Sequence, residues 1–164
     1  MGKGATVVFT NPSVYISTST NEFATSTGTT TAYDLAGWFR SAKLEVKVDE
    51  KEDTVFGNTA HSRVQGLEDV SLVCEAIQDF ASTGIAAALG LDGLIYDLLK
   101  NKRKVNVCVR PLNAARTSDN PEYQAQVRVF SHSPVSGGIG EVLATTLNFM
   151  GAGNWTRLTS ATSS

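Results

Sequence analysis

With 164 residues, 41% of them hydrophobic and only 18% charged, the chain suits one domain, and a domain of that size buries about 70% of the surface its unfolded chain exposes. A formal charge of −2 argues against a sequence-independent nucleic-acid binder, because such affinity comes from clustered Lys and Arg neutralising phosphates. No apolar run approaches the ~18 residues of a membrane span, and Ala5–Phe9 is shorter than the ~7–15 residues of a signal-peptide core, so the chain is expected to be made and kept in a cytoplasm.

Ala5–Ile16 carries Val7, Phe9, Val14 and Ile16 around Asn11-Pro12, the pattern of two short strands and a turn. Ser17–Thr31 is almost entirely Ser, Thr, Gly and Asn, with Phe23 its one large apolar residue. Such a segment builds no core and is expected to be a flexible loop or arm, ordered only by a neighbouring subunit. Tyr33–Arg40 is apolar again, and Leu44, Val46 and Val48 then alternate with Glu45, Lys47 and Asp49, the two-residue period of a half-exposed strand. A polar loop is expected from near Glu50 to Gly66. Val70–Phe80 fits helical spacing at Val70, Val73, Cys74, Ile77 and Phe80, and also fits a strand; periodicity alone leaves the two open.

Leu91, Leu94, Ile95, Leu98 and Leu99 recur at three- and four-residue steps, which predicts a helix. Asp92 is placed to cap its start, and Lys100, Lys102 and Arg103 suit the negative end of its dipole. Lys104–Arg110 alternates with Val105, Val107 and Val109 on one face and stops at Pro111; Glu122–Ser131 alternates with Tyr123, Ala125, Val127 and Val129 inward, after a turn-rich loop over Asn113–Pro121. Glu141–Phe149 reads as a further strand, Gly151-Ala152-Gly153 as a turn, and Trp155–Leu158 as a last strand before a disordered tail over 159–164. Several strands and one helix predict a mainly β fold, a sandwich or barrel with a helix on its side.

The residues that carry chemistry elsewhere are sparse. Cys74 and Cys108 lie in apolar strand-like contexts without ligand spacing and are expected as buried free thiols. His61 and His132 flank no nucleophile elbow or metal-binding helix and read as solvated loop histidines. Asp49, Glu50, Glu52 and Asp53 lack the spacing of a calcium loop, so a solvated or intersubunit charged loop is the better reading. The basic cluster Lys100, Lys102, Arg103 and Lys104 reads as an exposed face at a helix end. No catalytic, cofactor or metal site is expected.

One stretch stands out. In Leu44–Ser71 an alternating strand leads to Asp53-Thr54-Val55-Phe56-Gly57 and then to Gly66-Leu67-Glu68-Asp69, which resembles the "D-x-T-x-F-G" loop and "G-L-x-D" return of the major tail tube proteins of long-tailed, siphovirus-type bacteriophages. Tyr33–Trp38, the segment Ile95–Leu99 before Val105–Pro111, and Gly140–Arg157 follow the same order, so the resemblance spans about residues 33–158. It favours a strand at Val70–Phe80.

The resemblance implies one tail tube domain over 1–164, folded as a β-sandwich or barrel with one flanking helix. It implies hexameric rings stacked into a virion tail tube through which DNA passes without sequence-specific binding. Partners would be further copies of the chain, a tape measure protein inside the tube, and tail terminator and tail tip proteins; synthesis would be in the bacterial host cytoplasm, with no membrane. Residues 49–66 would be the long inter-subunit loop, with Asp53, Thr54, Phe56, Gly57, His61, Arg63, Gly66 and Leu67 at the interface. Phe56, a large aromatic in a polar loop, is expected to enter a pocket on another subunit, and the lumen is expected to be acidic or neutral. Alternatives are a tail terminator or head-completion protein, a secretion-type tube protein, and a carbohydrate-binding β-sandwich, the last opposed by tryptophans only at Trp38 and Trp155.

Overall fold

Among the described residues the alternating segments pair into β1 (Ser13–Ser17), β2 (Ala32–Asp34), β3 (Phe39–Glu52), β4 (Arg63–Ile77), β5 (Val105–Arg110), β6 (Glu122–His132) and β7 (Ala144–Leu158), with one helix, α1 (Leu91–Lys100), between β4 and β5. The computed structural model describes residues 12–17, 32–53, 63–80 and 90–159. The strands form one antiparallel sheet in the order β2-β1-β5-β6-β7-β4-β3.

That sheet must curl. Its two outermost strands, β2 and β3, are consecutive in the chain and separated only by residues 35–38. Flat strands at ~4.8 Å spacing would hold the two edges about 29 Å apart, whereas the link from Asp34 to Phe39 reaches about 18 Å at full extension. The short link is hydrogen-bonded on both sides: Leu35 N–H donates to Val14 O in β1 at 2.9 Å, and Ile77 N–H in β4 donates to Trp38 O at 2.8 Å. The result is the expected barrel-like, mainly β architecture.

Inside the curl, the period of two puts one apolar face on every long strand. Val14 and Ile16 meet Val109 and Val107; Val105 meets Val127; Leu72 and Cys74 meet Phe149 and Leu147. All are buried in one core with Leu91, Leu94, Ile95 and Leu98 of α1. Val70–Ile77 is thus strand, with Val70, Leu72, Cys74 and Ala76 inward.

Three local expectations change. Gly90, not Asp92, is the N-cap, and it makes no side-chain cap bond. The Asp92 carboxylate instead accepts from Gln78 Nε2 at 2.8 Å and stands 3.7 Å from His132 Nε2. His132 is accordingly no solvated histidine, since its side chain at the end of β6 is only 4% exposed. Gly151–Gly153 is no turn, because β7 runs through it to Leu158. The extra residues are absorbed as a register shift against β6 between Ala125 and Val127, which bends the sheet without ending the strand.

The helix ends as the sequence suggests only in part. Lys102 adopts φ 51°, and the N–H groups of Lys102 and Arg103 donate to Leu99 O and Leu98 O, the paired bonds of a left-handed C-terminal cap with lysine where glycine is commoner.

The opposite face of β1, β5 and β6 is buried although polar. Glu122 lies between two guanidinium groups, 3.4 Å from Arg110 Nε and 3.5 Å from Arg116, and also accepts from Gln124. The Arg110 Nε contact is an ion pair without hydrogen-bond geometry; the rest of that guanidinium donates to Ala114 O at 2.8 Å and Ser13 Oγ at 3.2 Å. Asn120 ties the loop beside it through its amide, donating to Leu112 O, Ala114 O and Ala115 O and accepting from Leu112 N–H. Cys108, on this face, and Cys74, on the apolar face, are buried thiols that form no disulfide, each pushed up to about 12 by desolvation.

Candidate subunit interface

β3 and β4 pair over far more of their length than the rest of the sheet supports. Leu44 faces Leu72 and Val46 faces Val70, and the ladder continues through Lys47 with Asp69 to Glu52 with Arg63. β4, however, meets β7 only from Ser71 to Ile77. Residues 47–52 and 63–69 therefore project as a two-stranded ribbon beyond the sheet. The segment expected as a loop over 49–66 is in part this ribbon, with strand at both its ends. Almost every residue of the ribbon is exposed. A two-stranded ribbon without a third strand is marginally stable in water, so this one gains from a surface to lie on.

Ribbon shape follows from Gly66. Val48 faces Glu68 and Glu50 faces Gln65, leaving Asp49 alone opposite Gly66 and Leu67. This is a β-bulge, which bends the strand and sharpens its twist. A Cβ at Gly66 would lie 3.0 Å from both the Cβ and the carbonyl oxygen of Asp49. The bulge turns Leu67 outward, where it is 79% exposed. Arg63 Nε pairs with Glu50 at 2.7 Å across the ribbon.

The ribbon is braced at its root. β4 and β7 part at Val70 and Gly151, where an added Cβ would come within 3.2 Å of the Val70 backbone. Beyond that point the Trp155 indole N–H in β7 donates to Glu68 Oε2 in β4, while the Trp155 ring packs on the core.

Of the residues expected at the interface, Asp53, Arg63, Gly66 and Leu67 lie on or at the end of the ribbon. Thr54, Phe56, Gly57 and His61 lie outside the described residues. Val48, expected only as an apolar residue of the alternating strand, and Val64 are exposed on the same ribbon without having been expected at the interface; aliphatic residues within a charged stretch were the available signal.

β3 also forms an edge of the sheet. Its outward side chains carry charge: Lys43 Nζ stands 2.9 Å and Lys47 Nζ 3.4 Å from the Glu45 carboxylate. The hydrogen bond and charge of Lys43, and then those of Lys47, hold that carboxyl below its usual range. Charged side chains on an edge oppose indiscriminate pairing. Among the described residues no group of three or more His, Cys, Asp or Glu side chains is placed to hold a metal, and no helix is long and apolar enough to cross a membrane.

No protein-family model and no curated protein sequence matches the chain. Solved structures do. A chain of the SPP1 tail tube superposes with a TM-score of 0.62 at 11% identity, over 90% of this chain and 77% of that one. A chain from the C6-symmetric tail of the empty gene transfer agent particle gives 0.60 at 13% identity, over 87% and 93%. A chain of the six-fold symmetrised anti-feeding prophage baseplate gives 0.57 at 16% identity, over 96% and 97%. The fold is that of phage tail tube proteins, as the sequence resemblance implied.

Proposed function

We propose that the chain is a structural subunit of a phage-type tail tube, closing into hexameric rings that stack into a hollow tube in the virion tail. The observation that carries this is the ribbon of residues 47–52 and 63–69, which leaves its own sheet, exposes Val48, Val64 and Leu67, and stands on a fold shared with subunits of six-fold assemblies. An exposed β3 edge and a projecting ribbon are both satisfied by neighbouring copies, and a closed ring removes the free edges.

In this reading the inter-subunit contact includes Asp53, Arg63, Gly66 and Leu67 with Thr54, Phe56, Gly57 and His61 of the connecting segment, and Phe56 enters a neighbour's pocket. The outward face of β3 and β4 interleaves Lys43, Glu45, Lys47 and Glu75. If it lines the lumen, DNA meets mixed charge with neither clustered cations to bind it nor a uniformly acidic wall. Partners are then copies of the chain, a tape measure protein, and terminator and tip proteins, after synthesis in the host cytoplasm. The role is architectural, without catalysis.

Electron microscopy of the purified chain across a concentration series tests the proposal. Hollow tubes with a regular axial repeat are expected; monomers at every concentration overturn it. Single rings favour a second reading, a ring-forming baseplate or terminator component, for which the near-complete mutual coverage with the anti-feeding prophage baseplate chain speaks.

A further inference from the structure

The described surface carries charge of opposite sign on two separate parts. On the ribbon, residues 47–53 and 63–69 hold six carboxylates against three cations. At the end of α1, Lys100, Lys102, Arg103 and Lys104 follow one another closely, with Arg128 of β6 nearby. A helix dipole amounts to about half a charge at each end, so it accounts for a fraction of that cluster. Arg103 has its own partner, Asp97, at 3.6 Å.

The basic end is also concave and apolar. Leu99, Lys102, Arg128, Val129 and Phe130 line a groove of about 280 Å³. Phe130 falls at a register shift between β6 and β7 and is 64% exposed. Leu99 and Tyr96 on the same end of the helix are exposed as well. An aromatic and aliphatic floor with a basic rim fits a segment that is aliphatic and acidic. The ribbon is such a segment, with Val48, Val64 and Leu67 among its carboxylates.

Within one copy the two parts belong to different strands of the sheet. The ribbon continues β3 and β4, the groove lies over β6, and β7 stands between. We propose that the ribbon of one copy seats in the groove between the C-terminal end of α1 and β6 of a second copy. Its carboxylates face Lys100, Lys102 and Arg128, and its aliphatic side chains cover Leu99 and Phe130. The contact is heterologous: each copy offers a ribbon and a groove, so every addition leaves one of each free and assembly continues. The inference rests on the self-assembly proposed above and names the surfaces through which it proceeds.

Charge exchange in the full chain tests it. Glu52→Lys with Asp53→Lys, and separately Lys100→Glu with Lys102→Glu, are each expected to raise the concentration at which assemblies first sediment by about tenfold or more, because like charges then face each other. The combined variant, with both sides exchanged, is expected to return towards wild type. Carbodiimide coupling of wild-type assemblies, read by mass spectrometry, is expected to join peptides containing 49–53 of one copy to 100–104 of another. Normal assembly of either half-exchanged variant, no recovery in the combined one, or assembled wild type without those coupled peptides overturns the seating while leaving the tube reading intact. Wild type that never assembles overturns the tube reading itself, and the seating with it.

Discussion

Gly66 sits directly against Asp49: a Cβ on the glycine would lie 3.0 Å from the Cβ and the carbonyl oxygen of its neighbour across the bulge. The obstacle includes backbone, so it cannot rotate away. Gly66→Ala is expected to cost about 1–3 kcal/mol through overpacking, confined to the ribbon. Hydrogen exchange should accelerate over residues 47–52 and 63–69 and stay unchanged in β5 and β6, and tube assembly should weaken. Unchanged exchange in the ribbon would refute the role given to the bulge.

Trp155 and Glu68 brace the base of the same ribbon. Trp155→Phe keeps a ring against the core and removes the indole donor, a loss of about 0.5–1.5 kcal/mol for a single hydrogen bond. Chemical denaturation is expected to shift modestly, with the ribbon amides, rather than those of β1 or β5, showing the larger gain in exchange.

Glu122 is 98% shielded in its side chain and serves two arginines. Glu122→Gln removes the buried carboxylate charge that Arg110 and Arg116 share, and breaking a buried pair costs about 3–5 kcal/mol. The midpoint of denaturation should fall accordingly. A change below about 1 kcal/mol would show that the two guanidinium groups find other partners.

His132 gives the molecule a pH-dependent stability. Burial holds its imidazole below the usual histidine range, partly opposed by the nearby Asp92 carboxylate. Between the depressed folded value and the unfolded value near 6.5, the unfolded chain binds more protons than the folded one, so stability falls as pH drops through that window and levels off below it. His132→Gln should flatten the slope of melting temperature against pH in this range; an unaltered slope would assign it to other groups.

Phe56 belongs to the segment joining the two strands of the ribbon. Phe56→Ala is expected to leave the circular dichroism spectrum and melting temperature of the subunit unchanged, while tubes become fewer or shorter by electron microscopy. Tubes of normal number and length would remove Phe56 from the interface.

By itself the sequence determined the parts whose character is set by local period and contrast. Val105, Val107 and Val109, and Tyr123, Ala125, Val127 and Val129, alternate against polar neighbours because one face of each strand meets the core. Leu91, Leu94, Ile95 and Leu98 repeat at helical spacing for the same reason. The order of motifs around Phe56 and Gly66 also carried the fold class. Only the tertiary structure decided the rest. Beyond Val48 the ribbon keeps no regular hydrophobic period, its aliphatic residues Val64 and Leu67 being scattered among charges, and pairing between β3 and β4 specifies it as strand instead. Arg110, Glu122 and Gln124 stand on the polar side of their strands, yet packing buries them around a shared carboxylate. Asp92 looked like a cap because of its position, but Gln78, brought from a distant strand end, holds its carboxylate. Local pattern reports which side of an element is apolar; the three-dimensional arrangement determines what covers its polar side.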